Sequence, residues 1–565
     1  MRIICNSGEF DLPVDFRLTN TEYNQLLNDI GEQSIPFTLP PTANNLRMIG
    51  YSNRLDAYYK PMQTIPVDTI TGVFMKPGNM SIHSASERNG ISCTLYFNEA
   101  NFYSAIDELT MKDVVLDVFT DPNYPTPAPE NLAARVDYLI AMLKSEYLTQ
   151  NSEIFSVFPV STTTSLTRVY QYTDRETNVL TDYEEKINYV LNGFETNLKY
   201  TPDATSAKVI ELAAMMGETA QEFKNGDKII PCTKGYGMTA FVNLFYYLQK
   251  LFDQFGYSFD DNQIRNHING VGGRVVILNS VADAIYDGKL DLNQLVPDVT
   301  IKDFLKKTNS LLGGKFIIDE LDKKVTYRMY TDIFEADPAA DLSSQMSSPL
   351  EIEAVEFKKI AVCNSADSTF KKSADTTYIE ASFTPEAEYK MVANPHSNER
   401  STILTFRLSL FSVGNMIHKN STVIDPDVTV NETEPQNDQL LLVGVRQGLQ
   451  HSEPHYAVYR TGQTGILEFT IKYYKGYTSV YRTSDDPVGF LSAMYAQYID
   501  FVRHSNMQLS LTCHFTPDVL DDLDLTNTYL FDSVKCMIDK MEYALPSDQV
   551  YKLTLRTVNP YADRP

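Results

Sequence analysis

The sequence predicts a β-rich α+β protein of several domains, with helices inserted between runs of strands. Three observations carry that expectation. First, Val, Ile and Thr stand in short runs beside 35 Tyr and 29 Phe, with no Trp, a composition that favours pleated, half-buried segments. Second, strict alternation of apolar and polar residues occurs where a strand is to be expected, most clearly from Ile91 to Phe97. Third, 565 residues exceed the size at which one hydrophobic core keeps growing, so about three or four domains are expected. Hydrophobic residues at 43% and charged residues at 21% place the chain among ordered globular proteins, because enough apolar surface exists to offset the ordering of the backbone.

Residues 1–120 read as an N-terminal β-rich domain. Phe16-Arg17-Leu18 is strand-like, and Asn20 to Gly31 reads as a polar helical stretch or loop. Pro36 and Pro40 bracket an extended Ser34–Leu39 segment and keep it at a sheet edge, since proline lacks the donor a central strand needs. Gly72-Val73-Phe74 and Met80-Ser81-Ile82 flank Lys76-Pro77-Gly78-Asn79, whose composition predicts a hairpin turn. Ile91, Cys93, Leu95 and Phe97 line one face of the alternating strand. Asn98 then caps a short helix with Phe102, Ala105, Ile106 and Leu109 on one side.

Residues 121–235 read as a helical and irregular insertion. Prolines at 122, 125, 127 and 129 stop both helix and central strand, which marks a boundary. Leu132, Val136, Leu139, Ile140, Leu143 and Tyr147 recur at helical spacing, predicting an amphipathic helix from Glu130 to Tyr147. The Thr-rich stretch from Phe158 to about Lys228 carries no clear period.

Residues 236–348 read as an α+β module. Phe241, Leu244, Phe245, Leu248, Phe252 and Phe255 predict a helix over Thr239 to Phe255, stopped by Gly256. Thr300 opens a second helix with Asp303 at the capping position and Ile301, Phe304, Leu305 and Leu311 as its buried stripe. Gly313-Gly314 ends it, and Lys315–Ile318 and Val325–Met329 pair across a turn at Leu321-Asp322-Lys323. Residues 349–480 return to strand-like runs such as Ile403–Leu408 and Leu440–Val445. Residues 481–565 read as an α/β segment, with a helix through Phe490, Met494, Tyr498 and Phe501 and strands at 507–515, 529–531 and 552–558. No internal repeat of solenoid or propeller spacing is present.

A net charge of -25 and a pI near 4.7 repel nucleic-acid phosphates and anionic lipid, which argues against a DNA-reading or membrane-surface role. An acidic wall past which DNA slides is compatible with the same charge. Cys5, Cys93, Cys232, Cys363, Cys513 and Cys536 are widely spaced without a C-x-x-C, so they read as reduced, mostly buried thiols and not as a zinc cage or redox pair. Glu9 and Asp11 interrupt the N-terminal residues before a signal-length apolar run, and no segment approaches the length of a membrane span. The expectation is a protein made and folded in a cytosol, with no stable membrane association.

The candidate chemistry is sparse. His451-Ser452-Glu453-Pro454-His455 places two imidazoles near a carboxylate, but Pro454 disrupts the helix that a zinc-binding H-E-x-x-H needs, so an exposed loop is expected. Cys513 and His514 are adjacent and would point to opposite faces of a strand. Asp518, Asp521, Asp522 and Asp524 form the densest acidic run; lacking the central Gly and closing Glu of a calcium loop, they read as capping and solvated residues. Gly270, Gly272 and Gly273 have no following G-K-[ST], and Gly313-Gly314-Lys315 follows a helix instead of preceding one, so neither reads as a phosphate loop. Tyr246-Tyr247 and Tyr473-Tyr474 lack the basic partners of a stacking platform and read as core or interface residues. No catalytic residue, metal ligand or cofactor site is assigned.

Several stretches together resemble phage tail and baseplate hub proteins and their prophage relatives. They are Ser34–Asn45 followed by Gly72-Val73-Phe74 and Met80-Ser81-Ile82; Phe241–Tyr257, Val276–Ala284 and Leu295–Thr300; and Tyr498–Phe501 with Met541-Glu542-Tyr543. Ile301–Leu305 through Lys315–Asp319 resembles the small helix-plus-hairpin module of tail hubs and related injection machines. The resemblance implies two β-barrel-like hub domains, at 1–120 and 349–480, in each subunit of a homotrimer whose pseudo-sixfold ring joins a tail tube or distal ring to a central spike or fibre complex. DNA would be a passing cargo during ejection, and the protein would reside in the virion tail after assembly in the bacterial host cytoplasm. Two alternatives stand beside it: a receptor- or glycan-binding tail component, and a tail-associated hydrolase using Asp522 or Asp524.

Overall fold

A computed structural model describes residues 1–28, 31–54, 64–71, 74–97, 99–119, 132–149, 151–158, 160–173, 180–192, 199–200, 210–211, 218, 221–225, 228–232, 234–235 and 237–262. It further describes 275–277, 279, 281, 283–354, 359–364, 376–381, 391–392, 411–412, 442–446, 456–458, 498, 501, 507–546 and 549–558.

Residues from the two ends of the chain build one 13-stranded sheet. Its N-terminal strands are β1 (Arg2–Cys5), β2 (Gly8–Glu9), β3 (Leu18–Tyr23), β4 (Gln33–Ser34), β5 (Phe37–Leu39), β6 (Thr64–Thr71), β7 (Phe74–Ser86) and β8 (Gly90–Phe97). Its later strands are β9 (Glu351–Ala354), β10 (Met507–His514), β11 (Thr528–Phe531), β12 (Val534–Leu545) and β13 (Val550–Thr557). The order is β2-β1-β6-β7-β8-β4-β3-β12-β13-β10-β9, with β11 added on β12 and β5 on β8. The antiparallel join of β3 to β12, from Leu18 opposite Leu545 to Tyr23 opposite Lys540, is the one strand pairing between the two halves among the described residues. Each half has its own apolar layer: Ile3, Leu39, Met80, Ile91, Leu95 and Phe97 under the first, Leu511, Phe515, Ile538, Leu553 and Leu555 under the second.

Three local expectations are corrected here. Asn20 to Tyr23 is strand, not a polar helix or loop, because its partners lie in β12, beyond the reach of any local pattern. Lys76-Pro77-Gly78-Asn79 is not a turn but the middle of β7, paired with β6 on one side and β8 on the other. Gly78 is there for space: a Cβ at this position would sit 2.7 Å from both the Phe97 ring and the Tyr96 carbonyl oxygen, so the glycine lets the ring lie over the strand. The turn comes instead at 87–89, where the Ser86 hydroxyl accepts the N–H groups of Arg88 and Asn89 and Ser86 pairs with Gly90. Finally, neither expected barrel appears among the described residues: no sheet closes on itself there and β2 and β9 remain separate edges of the large one, while most of 349–480 lies outside those residues.

The predicted Ile91–Phe97 strand, the extended Phe37–Leu39 segment and the strands around 507–515, 529–531 and 552–558 all form. The short helix α1 (Ala43–Met48) was not read from the sequence; the Thr42 side chain caps it by accepting the Asn45 N–H. Helix α2 (Glu99–Ala105) buries Phe102, with Ile106 buried just beyond its end; α3 (Leu132–Thr149) buries Leu139, Ile140, Leu143 and Tyr147 of the six residues that its spacing nominated, while Val136 is half-buried and Leu132, at the first position, is exposed. Helix α4 (Leu244–Gln254) starts later than predicted, because Phe241–Asn243 is a strand pairing with Phe155–Ser156 and Val275–Ile277. Phe241 is buried in either conformation, stacked on Phe158 at 4.6 Å, and periodicity alone did not distinguish the two. Val160–Thr173 pairs antiparallel with Leu180–Leu191, where a helical and irregular insertion was expected.

The helix-plus-hairpin module forms as read. Thr300 accepts the Asp303 N–H at the start of α5 (Ile301–Leu312), and Gly313, at φ 67 and ψ 43, ends it in the left-handed conformation. Gly314–Asp319 and Lys324–Met329 then pair, with Asp319 accepting the N–H groups of Leu321 and Asp322 in the turn. The hairpin runs parallel to Ser258–Asp260 and leads into α6 (Tyr330–Glu335), whose Tyr330 and Phe334 stack on Tyr498 and Phe501 at 4.3 and 4.8 Å. Phe490 and Met494 of the expected last helix lie outside the described residues, as does Ile403–Leu408. Of 349–480, β9 joins the large sheet, and Leu442–Arg446 pairs with Val275–Ile277 and Tyr456–Val458. Among the described residues no helix is long and apolar enough to cross a membrane.

Gly314 has the least room of any glycine in the module: a Cβ would lie 2.3 Å from the Arg328 carbonyl oxygen and 2.7 Å from the Tyr327 ring. Gly314→Ala is therefore expected to lower stability by about 1–3 kcal/mol through overpacking. A lower urea midpoint with unchanged m-value checks this, and an unaltered midpoint contradicts it.

Candidate functional site

The residues nominated by sequence scatter into structural roles or lie outside the described residues. His451, Glu453, His455, Gly270, Gly272, Gly273, Tyr473 and Tyr474 are in the latter group. Cys513 and His514 sit on β10, the thiol buried and the imidazole exposed, so they do not converge; burial pushes the Cys513 thiol up to about 12. The buried Cys93 and Cys536 are likewise pushed up to about 12 by burial, and with Cys5 these cysteines are free. Asp518 stands in the first turn of α7 (Pro517–Asp521), Asp521 ends that helix and Asp522 caps it. Asp524 accepts the Thr526 N–H at 2.8 Å and its hydroxyl at 2.6 Å, and lies 3.5 Å from Arg328. The acidic run is thus a helix end and a side-chain-stabilised turn. Tyr246 and Tyr247 are buried, donating to Asp117 and to the Met111 carbonyl. Lys315 donates to the Asn28 carbonyl. No group of three or more His, Cys, Asp or Glu suited to a metal ion occurs among the described residues.

What the structure does bring together is a polar cluster at the seam of the large sheet, which sequence reasoning missed. Four pieces of chain meet there. β3 supplies Asn20 and, two residues on and therefore on the same face, Glu22. Glu32 precedes β4, its backbone carbonyl accepting the Phe97 N–H at 2.8 Å. β7 supplies Lys76 and β12 supplies Tyr543, which lies opposite Asn20 in the ladder.

Glu32 is the hub, with only 1% of its side chain exposed. Its Oε1 accepts from Lys76 Nζ at 2.5 Å, from the Tyr543 hydroxyl at 2.9 Å and from Asn20 Nδ2. Asn20 Nδ2 also donates to the Tyr543 oxygen at 2.7 Å. The Lys76 ammonium lies 5.5 Å from the centroid of the Phe97 ring, so the ring that covers Gly78 also supports the cation. The sequence trace of this arrangement is the Lys76-Pro77-Gly78-Asn79 run, whose composition reads more readily as a turn.

The electrostatics define what the cluster can do. Burial works against the Lys76 ammonium, but Glu32, with Tyr543 and Glu22, outweighs it and holds Lys76 well above its ordinary value. Burial and then Glu32 raise the Tyr543 phenol. Burial first, and then Glu32 and Asp524 against the opposing pull of Lys76, raises Glu22 to about 7. The lysine is therefore a fixed cation and the tyrosine a neutral donor near pH 7, and neither supplies the free amine or phenolate that base or nucleophile chemistry requires. Of these three groups, Glu22 is the one whose raised value lies near neutral pH.

No protein-family model matches the chain, and no curated protein matches it. Among solved structures it is similar to the 43 kDa tail protein of prophage MuSo2 from Shewanella oneidensis, at 6% identity and a TM-score of 0.31, over 99% of this chain and 98% of that one.

Lys76→Met leaves the buried Glu32 carboxylate without its cation. Stability at pH 7 should fall by roughly 2–4 kcal/mol, below the full cost of orphaning a buried charge because Lys76 retains solvent contact. Glu32→Gln combined with Lys76→Met should recover much of that loss. Denaturant unfolding of the single and double variants checks both, and equal losses in the two would contradict the pairing.

Proposed function

We propose that this chain is a non-enzymatic structural component of a phage-type tail, more specifically a hub subunit that forms a trimeric ring between the tail tube or distal ring and a central spike or fibre complex. The observation that carries this reading is the helix-plus-hairpin module. The stretch whose sequence resembles the module of tail hubs takes that form, α5 followed by the paired Gly314–Asp319 and Lys324–Met329 strands. It is also tied firmly to the N-terminal strands. The Gln25 side chain donates to the Ile318 carbonyl at 3.1 Å and accepts the Ile318 N–H at 2.9 Å, extending the edge of the hairpin.

Two further features support assembly. The net charge of -25 suits a surface past which DNA moves without adhering. Val118 and Tyr286 stand exposed on the outer side of the small sheet formed by Ile285–Tyr286, Lys289–Asp291 and Val118–Phe119, with Leu132 nearby against Gly288. Such apolar exposure fits a contact with another copy of the chain. No catalytic residue, metal or cofactor belongs to this reading.

Light scattering on the purified chain should give the mass of a trimer, and gold-labelled antibody should mark one end of the tail in assembled particles. Tyr286→Arg should shift the mass toward monomer while leaving the circular dichroism unchanged. A monomeric wild-type chain with no label on tails would overturn the proposal.

A further inference from the structure

Among the described residues the two ends of the chain share one strand pairing, that of β3 with β12, and the charges around it do not balance. Glu22 faces Glu32 from the residue before β4, Lys76 from β7, Asp524 from the loop ahead of β11 and, less directly, the hydroxyl of Tyr543 from β12. Among the described residues, Lys76 is engaged by Glu32 at 2.5 Å and Arg328 lies 3.5 Å from Asp524. Glu22 thus shares its surroundings with two other carboxylates whose cations are already engaged. Lys540 and Glu542, the neighbours of Met541 on β12, pair with each other on the opposite face and do not compensate it.

A second observation is independent of charge. Asn20 is fully buried, and while its Nδ2 donates to both Glu32 and Tyr543, its Oδ1 has no partner. The assignment of the amide is fixed by its contacts, since a carboxylate oxygen only accepts. A buried carbonyl oxygen without a donor is costly, and Glu22 stands on the same face of the same strand, two residues away. An ionised Glu22 offers only acceptors to this site; a protonated one offers the missing O–H, directly or through a bridging water.

We propose that a proton held at Glu22 completes the seam, and that its release as pH rises loosens the pairing of β3 with β12: a proton-operated latch between the two ends of the chain. This device is independent of the tail assignment. The group's raised value, about 7, sets the window. The sign is that of a raised carboxyl: below its unfolded value near 4.5 both states are protonated and nothing is lost. Above that value the open strand ionises first, so stability of the closed seam declines as pH rises toward 7 and levels off beyond it.

The test is pH-resolved amide hydrogen exchange on the full chain, corrected for the intrinsic rate, with β1 and β6 as internal controls, in wild type and Glu22→Gln. In wild type the opening equilibrium of β3 and β12 should rise on the order of tenfold or more between pH 5 and pH 8. In Glu22→Gln, which keeps a donor at all pH, it should stay flat. Infrared difference spectra should show one protonated carboxyl band at pH 6 that disappears by pH 9 and is missing from the variant. Should Glu22→Gln fail to fold, Glu22→Ala takes its place for the infrared assignment, and the wild-type exchange still decides. Exchange at β3 and β12 that tracks the control strands, or a carboxyl band that survives removal of Glu22, would overturn the latch.

Discussion

The large sheet exists only because β3 and β12 pair, and that pairing joins residues as far apart in sequence as Asn20 and Tyr543, separated by 523 positions. Closing so long a loop carries an entropic cost that no local preference offsets, so the seam depends on contacts made after everything between has been ordered. Its apolar support is divided. One core lies under β1 and β5 to β8 and another under β10 to β13, and at their junction Asn20 and Glu32 are buried beside Leu18 and Met541.

A polar junction of this kind trades stability for specificity. Glu32 accepts from three donors that arrive on three different strands, and the register of β3 against β12 is the one that places Asn20 opposite Tyr543. A one-residue slip would turn Asn20 and Glu22 to the other face and deprive the buried Glu32 of its Asn20 donor. The cluster thus fixes which residues of the two chain ends meet, a use of buried charge that does not require it to add net stability. The same burial that makes Lys76 a fixed cation and Tyr543 a fixed donor leaves Glu22 as the group whose protonation responds to its surroundings.

Where the physics is local, the chain could be read directly. Thr300, Asp303 and Gly313 mark the limits of α5 because a cap and a left-handed residue act within one turn of the helix they bound. The stripe of α3 and the alternation of Ile91 to Phe97 were legible because each segment meets a single apolar layer with a single period. The misreadings share another cause. Asn20 to Tyr23 is polar and looked like a loop; it is a strand because β12 supplies the partners. Lys76 to Asn79 has turn composition, yet Gly78 is there for the Phe97 ring and Lys76 for Glu32. The polar cluster was invisible for the same reason: each of its members is unremarkable among its own neighbours in sequence.

By itself, then, the sequence determined a β-rich α+β chain with amphipathic helices, a capped helix leading into a hairpin, a strongly acidic balance and six cysteines without a C-x-x-C spacing. These follow from periodicity, capping chemistry and net charge, which act over a few residues or over the whole composition. Only the tertiary structure decided that the first and last strands belong to one open sheet and that Asn20, Glu22, Glu32, Lys76 and Tyr543 share a site. Those outcomes rest on strand pairing and burial between distant segments, where the energy of a residue depends on partners that its own neighbourhood does not specify.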